Sequence, residues 1–373
     1  MRPPWPIRSP GLRALGFFWA GVLAIVVVGG AVLQMLGPPP RAHAVVAPET
    51  TSAPRAAATP SHEPAPHPAP VEAVASLAGR PGRATPGPIA APDPALLEPV
   101  ENDPGVFLPR IAADGRTPSQ FYARGFDPAD TRPRVAVLLA GVGLNGSESE
   151  DAVRTLPGAV TLAFSPYANG LGPLLEAARA AGHEFLISLP MEPQGYPLND
   201  AGDHALLTAV TPQVNQSRLD WALSRISGYV GATGALGLLR GERFAGSPQM
   251  LPVLDSLADR GLLYVDTRPS RQPLPRVWSH GVDVVIDEPA VRTEIEAKLA
   301  TLEQIARDKG SALGLAGATR PVTVDRIAAW TNGLAAKGLA LAPVSAIMVA
   351  PRAKEADGKD SRARDMTAKD SDR

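Results

Sequence analysis

The sequence predicts an α/β domain built on a parallel sheet, and three observations predict it. Between about Thr131 and Ala350, short β-branched or apolar runs alternate with amphipathic stretches. Gly182, Gly261, Gly310 and Gly338 each close a helical stretch just before an apolar run, where a left-handed residue is wanted. The stretch from Pro289 carries Ile295, Leu299, Leu302 and Ile305 at helical spacing, giving one apolar stripe, with proline in its first turn. Seven or eight strands alternating with helices form either a closed barrel or a doubly wound sheet, and spacing alone leaves both open. In either, functional groups belong at the carboxyl ends of the strands.

The strands are expected at Val135–Leu139, Val160–Phe164, Glu184–Leu189, Tyr229–Ala232, Leu262–Asp266, Val282–Ile286, Ala312–Leu315 and Leu341–Val344. These runs are short and rich in valine, leucine and isoleucine, as strands buried on both faces are. Helices are expected between most of them: Glu148–Leu156, Leu171–Ala181, Asn215–Ile226, Pro248–Arg260, Pro289–Lys309 and Val324–Lys337.

The flanks of this domain read differently. Ala14 to Leu36 is uncharged over a length that crosses a bilayer core of about 30 Å as a helix. Arg2, Arg8 and Arg13 precede it, which places residues 1–13 in the cytoplasm and the rest outside. A cleaved signal peptide would have a shorter apolar region, so an uncleaved single-pass anchor in the inner membrane is expected, with a periplasmic domain. Residues 37–130 are read as a linker; Gly37 to Gly105 holds 17 prolines, which remove donors and fix φ. His62 and His67 within it are read as polar residues of that tract. Residues 351–373 alternate seven basic with six acidic residues and read as a solvated tail. The formal net charge of −1 gives no argument for nucleic acid, and the absence of cysteine excludes disulfides and thiolate metal sites.

Several stretches in order resemble the divergent polysaccharide deacetylases: Arg134–Gly143, Thr161–Tyr167, Ala181–Glu184, Leu189–Pro193 with Gly195–Asp200, Gly228–Gly231, Leu257–Asp266, Pro321–Thr323 and Pro343–Ser345. The resemblance covers about Arg134 to Val349. It implies a distorted (β/α) barrel of seven or eight strands and a divalent metal such as zinc. It also implies metal ligands at an aspartate pair ending the first strand and at histidines after later strands. Here the pair matches Ala140 and Gly141, one histidine position matches Leu239, and another falls near Ala318. No cofactor is therefore expected. The domain holds only His183, His204 and His280, none forming a local His-x-x-x-His pair, whereas a catalytic zinc takes about three protein ligands.

Tyr167, Glu192, Tyr196, Asn199, Asp200, Arg243, Asp266 and Arg268 follow strands and are the candidate binding residues, expected to ring one mouth of the barrel. They fit recognition of a cell-wall glycan, with a cell-envelope protein as the other candidate partner. The bland reading makes them loop-shaping and capping groups. An active deacetylase with a site rebuilt from Glu192, Asp200, Asp266 or His204 is the alternative, and a pure interaction protein the third. Arg240, Glu242 and Arg243 form a charged cluster, and a guanidinium there is expected to fill the old metal space and pair with Glu192 or Asp266. His183 is read as structural. Ser165, Ser188 and Ser247 lack a nucleophile elbow and a base. Gly141, Gly143 and Gly146 spell Gly-x-Gly-x-x-Gly after a strand, but no acidic residue ends the second strand to hold a ribose.

Overall fold

The computed structural model describes Trp19 and residues 85–101, 103–269 and 274–351. The chain divides into two units, residues 1–66 and 67–373, and every element below belongs to the second. The anchor expected over 14–36 (save Trp19), the linker up to residue 84 and the tail from 352 lie outside the described residues. Among the described residues, no helix is long and apolar enough to cross a membrane.

The folded unit opens on a segment that the sequence reading assigned to the linker. A hairpin pairs β1 (Leu97–Pro99) with β2 (Phe107–Pro109), and a short helix α1 (Pro118–Phe121) follows. Leu96 is 0% exposed and Tyr122 2%, and the Tyr122 hydroxyl accepts a hydrogen bond from Asp93 N at 2.8 Å. The linker reading is thus corrected for residues 94–122. Proline density masked a handful of apolar anchors, whose burial supplies about 1.5–3 kcal/mol each.

The curled sheet comprises β3 (Arg134–Val142), β4 (Thr161–Phe164), β5 (Phe185–Ser188), β6 (Gly231–Thr233), β9 (Leu263–Asp266), β10 (Ser279–Gly281), β11 (Val284–Val285) and β12 (Ser311–Ala316). The hydrogen-bonded order is β10-β9-β6-β5-β4-β3-β12-β11, all parallel, and β13 (Ala340–Leu341) adds to the start of β3. β10 and β11 lie on one continuous run of chain. Val282 N donates to Asp266 O and Asp283 N to Leu313 O, so this run touches both ends of the strand path. The result is a curled parallel sheet forming a half-barrel, consistent with a distorted barrel, rather than a flat doubly wound sheet. Between β6 and β9 a small hairpin pairs β7 (Ala235–Leu236) with β8 (Leu239–Arg240), an element the sequence reading missed.

Helices α2 (Gly146–Thr155), α3 (Gly172–Ala180), α4 (Pro212–Leu223), α6 (Met250–Asp259), α7 (Arg292–Lys309) and α8 (Pro321–Thr331) lie where expected, with a short α5 (Glu242–Ala245) between α4 and α6. Gly182, Gly261, Gly310 and Gly338 have φ of 81, 69, 83 and 72°. On α7, Ile295, Leu299 and Leu302 are buried as expected, while Ala306 takes the last buried place and Ile305 lies at its margin.

Residues alternate along β3. Val135, Val137 and Leu139 join the layer packed by helices, whereas Ala136, Leu138 and Ala140 join the barrel interior with Leu186, Val265, Leu313 and Leu315. The amino end of the barrel is sealed by buried Glu184. Its carboxylate accepts from Arg124 N, Thr161 Oγ1, Ser345 N and Ser345 Oγ at 2.6–3.0 Å. The open question of function therefore concerns the carboxyl end.

Candidate functional site

The carboxyl mouth begins at a break in β3. The register with β4 shifts between Leu139 and Val142, so Ala140 and Gly141 occupy an irregularity of the kind that re-aims side chains next to active sites. Gly141 has φ 75°. A Cβ placed on it would lie 3.1 Å from the Gly317 carbonyl oxygen and 3.2 Å from the Gly237 Cα. A Cβ on Gly317 would lie 3.0 Å from the Gly237 oxygen and from Leu238 Cδ2. Three backbones thus meet where side chains would reach into the mouth, and the β7–β8 hairpin is the lid that brings Gly237 there. Leu144 and Leu238 flank this contact and remain 55% and 44% exposed.

Leu239, at the place of a family histidine, is an apolar packing residue. It packs with Ala201, Ala205, Leu236 and Tyr167 in a small apolar cluster. The first hairpin residue after β6 is Ala235, fully buried against the barrel interior. A divalent metal does not fit the donors present. Among the described residues, no group of three or more His, Asp or Glu side chains is placed to hold one.

The candidate binding residues pair off rather than converge. Glu192, 2% exposed, takes Arg243 Nε at 2.6 Å on Oε1, and Thr208 N and Oγ1 at 2.6 and 2.7 Å on Oε2. It thereby fastens the loop that follows β5. Asp266 receives Arg268 Nε and Nη2 at 2.9 and 2.6 Å in a closed fork. Of the cluster's two guanidiniums, Arg240 bonds Glu242 at 2.9 Å and Glu288 at 2.5 Å, away from Glu192 and Asp266. Arg243 takes that place beside Glu192, because α5 turns it toward the loop.

Asn199 and Asp200 are exposed and shape their own loop: Asn199 donates to Gln194 O, and Asp200 accepts from Gly202 N. Tyr196, half-buried, precedes a cis bond to Pro197. The Tyr167 hydroxyl accepts from His204 N at 3.2 Å, and the His204 ring stacks on Trp221 at 3.7 Å. Glu192, Asp200, Asp266 and His204 thus each have partners of their own, and no hydrogen bond or ion pair joins any two of them among the described residues.

The sequence reading missed Asp287. This carboxylate ends the strand run after β11, is 1% exposed, and accepts from Gly317 N at 2.8 Å and Ala318 N at 3.1 Å. Burial pushes its carboxyl above the usual range, against those two donors, which favour the charged form. Its signal was available as an acid directly after an apolar run, Val284-Val-Ile-Asp287. Both oxygens are spent on holding the turn after β12. The glycine-rich turn after β3 is spent as well. Gly143 N donates to Ser149 Oγ at 2.9 Å, and a Cβ on Gly143 would meet Ala168 Cβ at 2.7 Å. That explains the glycine without a phosphate.

The family model of the divergent polysaccharide deacetylases matches residues 137–348. A crystal structure of an uncharacterized protein from Agrobacterium tumefaciens C58 is 34% identical, with a TM-score of 0.61. The match covers 65% of this chain and 99% of that one. No curated protein matches the chain.

Proposed function

The chain belongs to the divergent polysaccharide deacetylase family, and from that premise we propose a cell-envelope protein that binds its ligand without metal-dependent hydrolysis. The observation that carries this reading is the contact of Gly141, Gly237 and Gly317, which occupies the mouth where the family's metal ligands would stand. Without a bound metal, water keeps a pKa far above 7 and attack on an acetyl carbonyl loses its nucleophile. Glu192 with Arg243, Asp266 with Arg268 and Arg240 with Glu288 are engaged in ion pairs, while Leu144 and Leu238 stay exposed. Such a surface suits an apolar contact with an envelope protein better than a sugar ring, which needs free donors and acceptors.

The anchor read from Ala14 to Leu36 and the proline-rich segment after it would tether the domain at the inner membrane on its periplasmic side. The test is elemental analysis and zinc titration of the purified full chain, with acetate release from an acetylated cell-wall glycan as the second readout. The expected outcome is substoichiometric zinc and no acetate. Tight binding of one zinc per chain, or turnover that survives a chelator, overturns the reading.

A further inference from the structure

A second surface of the molecule has the properties that the mouth lacks. A groove of about 490 Å³ lies on the barrel flank, lined by Glu98, Arg110, Gln216, Asp255, Asp259 and Arg260 among others. That volume falls inside the range of about 300–1,000 Å³ typical of small-ligand sites. One wall, carrying Glu98 and Arg110, comes from the β1–β2 hairpin, and the other from α4 and α6. The hairpin lies before residues 137–348, which the family model matches.

Its hydrogen-bonding groups are open. Arg260 has one good contact, Nη1 to Pro109 O at 3.1 Å, and two long ones of 3.5 Å to Glu98 and Asp220. These are well beyond the roughly 2.7–2.9 Å of a closed guanidinium–carboxylate pair. Arg110 donates only its Nε, to Ala95 O at 3.1 Å, which leaves its terminal N–H groups without a partner among the described residues. The Asp259 carboxylate likewise accepts no hydrogen bond among them, and it faces the same space. A free donor group on Arg110 and a free acceptor on Asp259 therefore face one cleft. The lining sets Glu98, Asp255 and Asp259 against Arg110 and Arg260, and Asp255 is paired with Arg276 outside it. So small an excess of charge gives little attraction for a polyanion or a polycation. The cleft matches a neutral ligand whose every group both donates and accepts, which is the chemistry of a hydroxyl.

We infer that this flank groove binds a neutral polyhydroxylated chain, a short oligosaccharide segment. The inference is independent of the mouth, because none of the groove residues belongs to it. The probes are N-acetylchitotetraose and cellotetraose, titrated calorimetrically into the full chain in detergent. Arg110→Ala and Asp259→Ala are both surface truncations, and unchanged thermal unfolding checks their fold. Each removes hydrogen bonds from a charged group, so affinity for the bound tetrasaccharide is expected to fall about tenfold or more, with the double variant losing binding. Three results would each overturn the inference: no binding of either neutral probe, binding unchanged in both variants, or tighter binding of polyphosphate or polylysine than of the sugars. The zinc and acetate measurements leave this result untouched, so the two readings fail separately.

Discussion

Gly141 decides more than any other single residue. Its φ of 75° strains any L side chain, and a Cβ there would press on the Gly317 carbonyl oxygen and the Gly237 Cα at 3.1 and 3.2 Å, which disfavours the carboxylate that a metal site would need. Gly141→Asp should therefore destabilise the domain by about 1–3 kcal/mol in urea denaturation and should not confer zinc binding. A variant as stable as the parent, or one that binds zinc, would show that the mouth has space the packing denies. His183 is buried outright, with Nδ1 2.7 Å from Val160 O and Nε2 3.3 Å from Val153 O. A neutral ring carries one N–H and can serve only one of those carbonyls, and the shorter contact selects Nδ1. Burial lowers its pKa from the ordinary 6.5, while the two carbonyls act the other way. The unfolded chain then binds the proton first. Stability contributed by the neutral ring is complete above 6.5, falls as pH drops below it, and levels off once the folded ring protonates. NMR titration of the ring should show it neutral below pH 6.5 in the folded protein. A ring that protonates at or above that value contradicts this.

At the scale of elements, periodicity and punctuation were legible and packing partners were not. The eight strand segments and six helices follow from apolar runs ended by glycine, and the four helix-stopping glycines all adopt the left-handed conformation. The N-terminal hairpin and the β7–β8 hairpin escaped because neither carries a hydrophobic period. Each is two or three residues per strand, set among prolines or glycines, and owes its form to the barrel surface it covers. The N-terminal segment makes this testable. Leu96 is fully buried in the layer with Tyr122 and Val344, so Leu96→Ala should cost roughly 2–5 kcal/mol in chemical denaturation of the full chain. A free linker would show no change.

At the scale of the whole molecule, the two ends of the barrel have opposite characters. The amino end is closed by a buried carboxylate that joins residue 124, β4 and the C-terminal segment at 345. Both described ends of the chain meet the domain on that side. Ile89 N donates to Arg179 O near the end of α3, and Val349 pairs with Ser279 at the start of β10. The candidate site was legible only as a set of residues. Glu192 and Arg243 are far apart in the chain, and so are Gly141, Gly237 and Gly317, and nothing local says which will touch.

The sequence by itself determined the α/β alternation, the positions of helices and strands, the family, and the replacement of metal-binding residue types at the first strand, because each is written in local pattern and residue identity. The tertiary structure alone decided that residues 94–122 belong to the fold, that Glu192 and Asp266 are locked into separate ion pairs, that a hairpin backbone meets Gly141 at the mouth, and that a polar groove opens on the flank. Those outcomes depend on which distant segments come within a few ångströms of each other, and burial, not periodicity, selects those contacts.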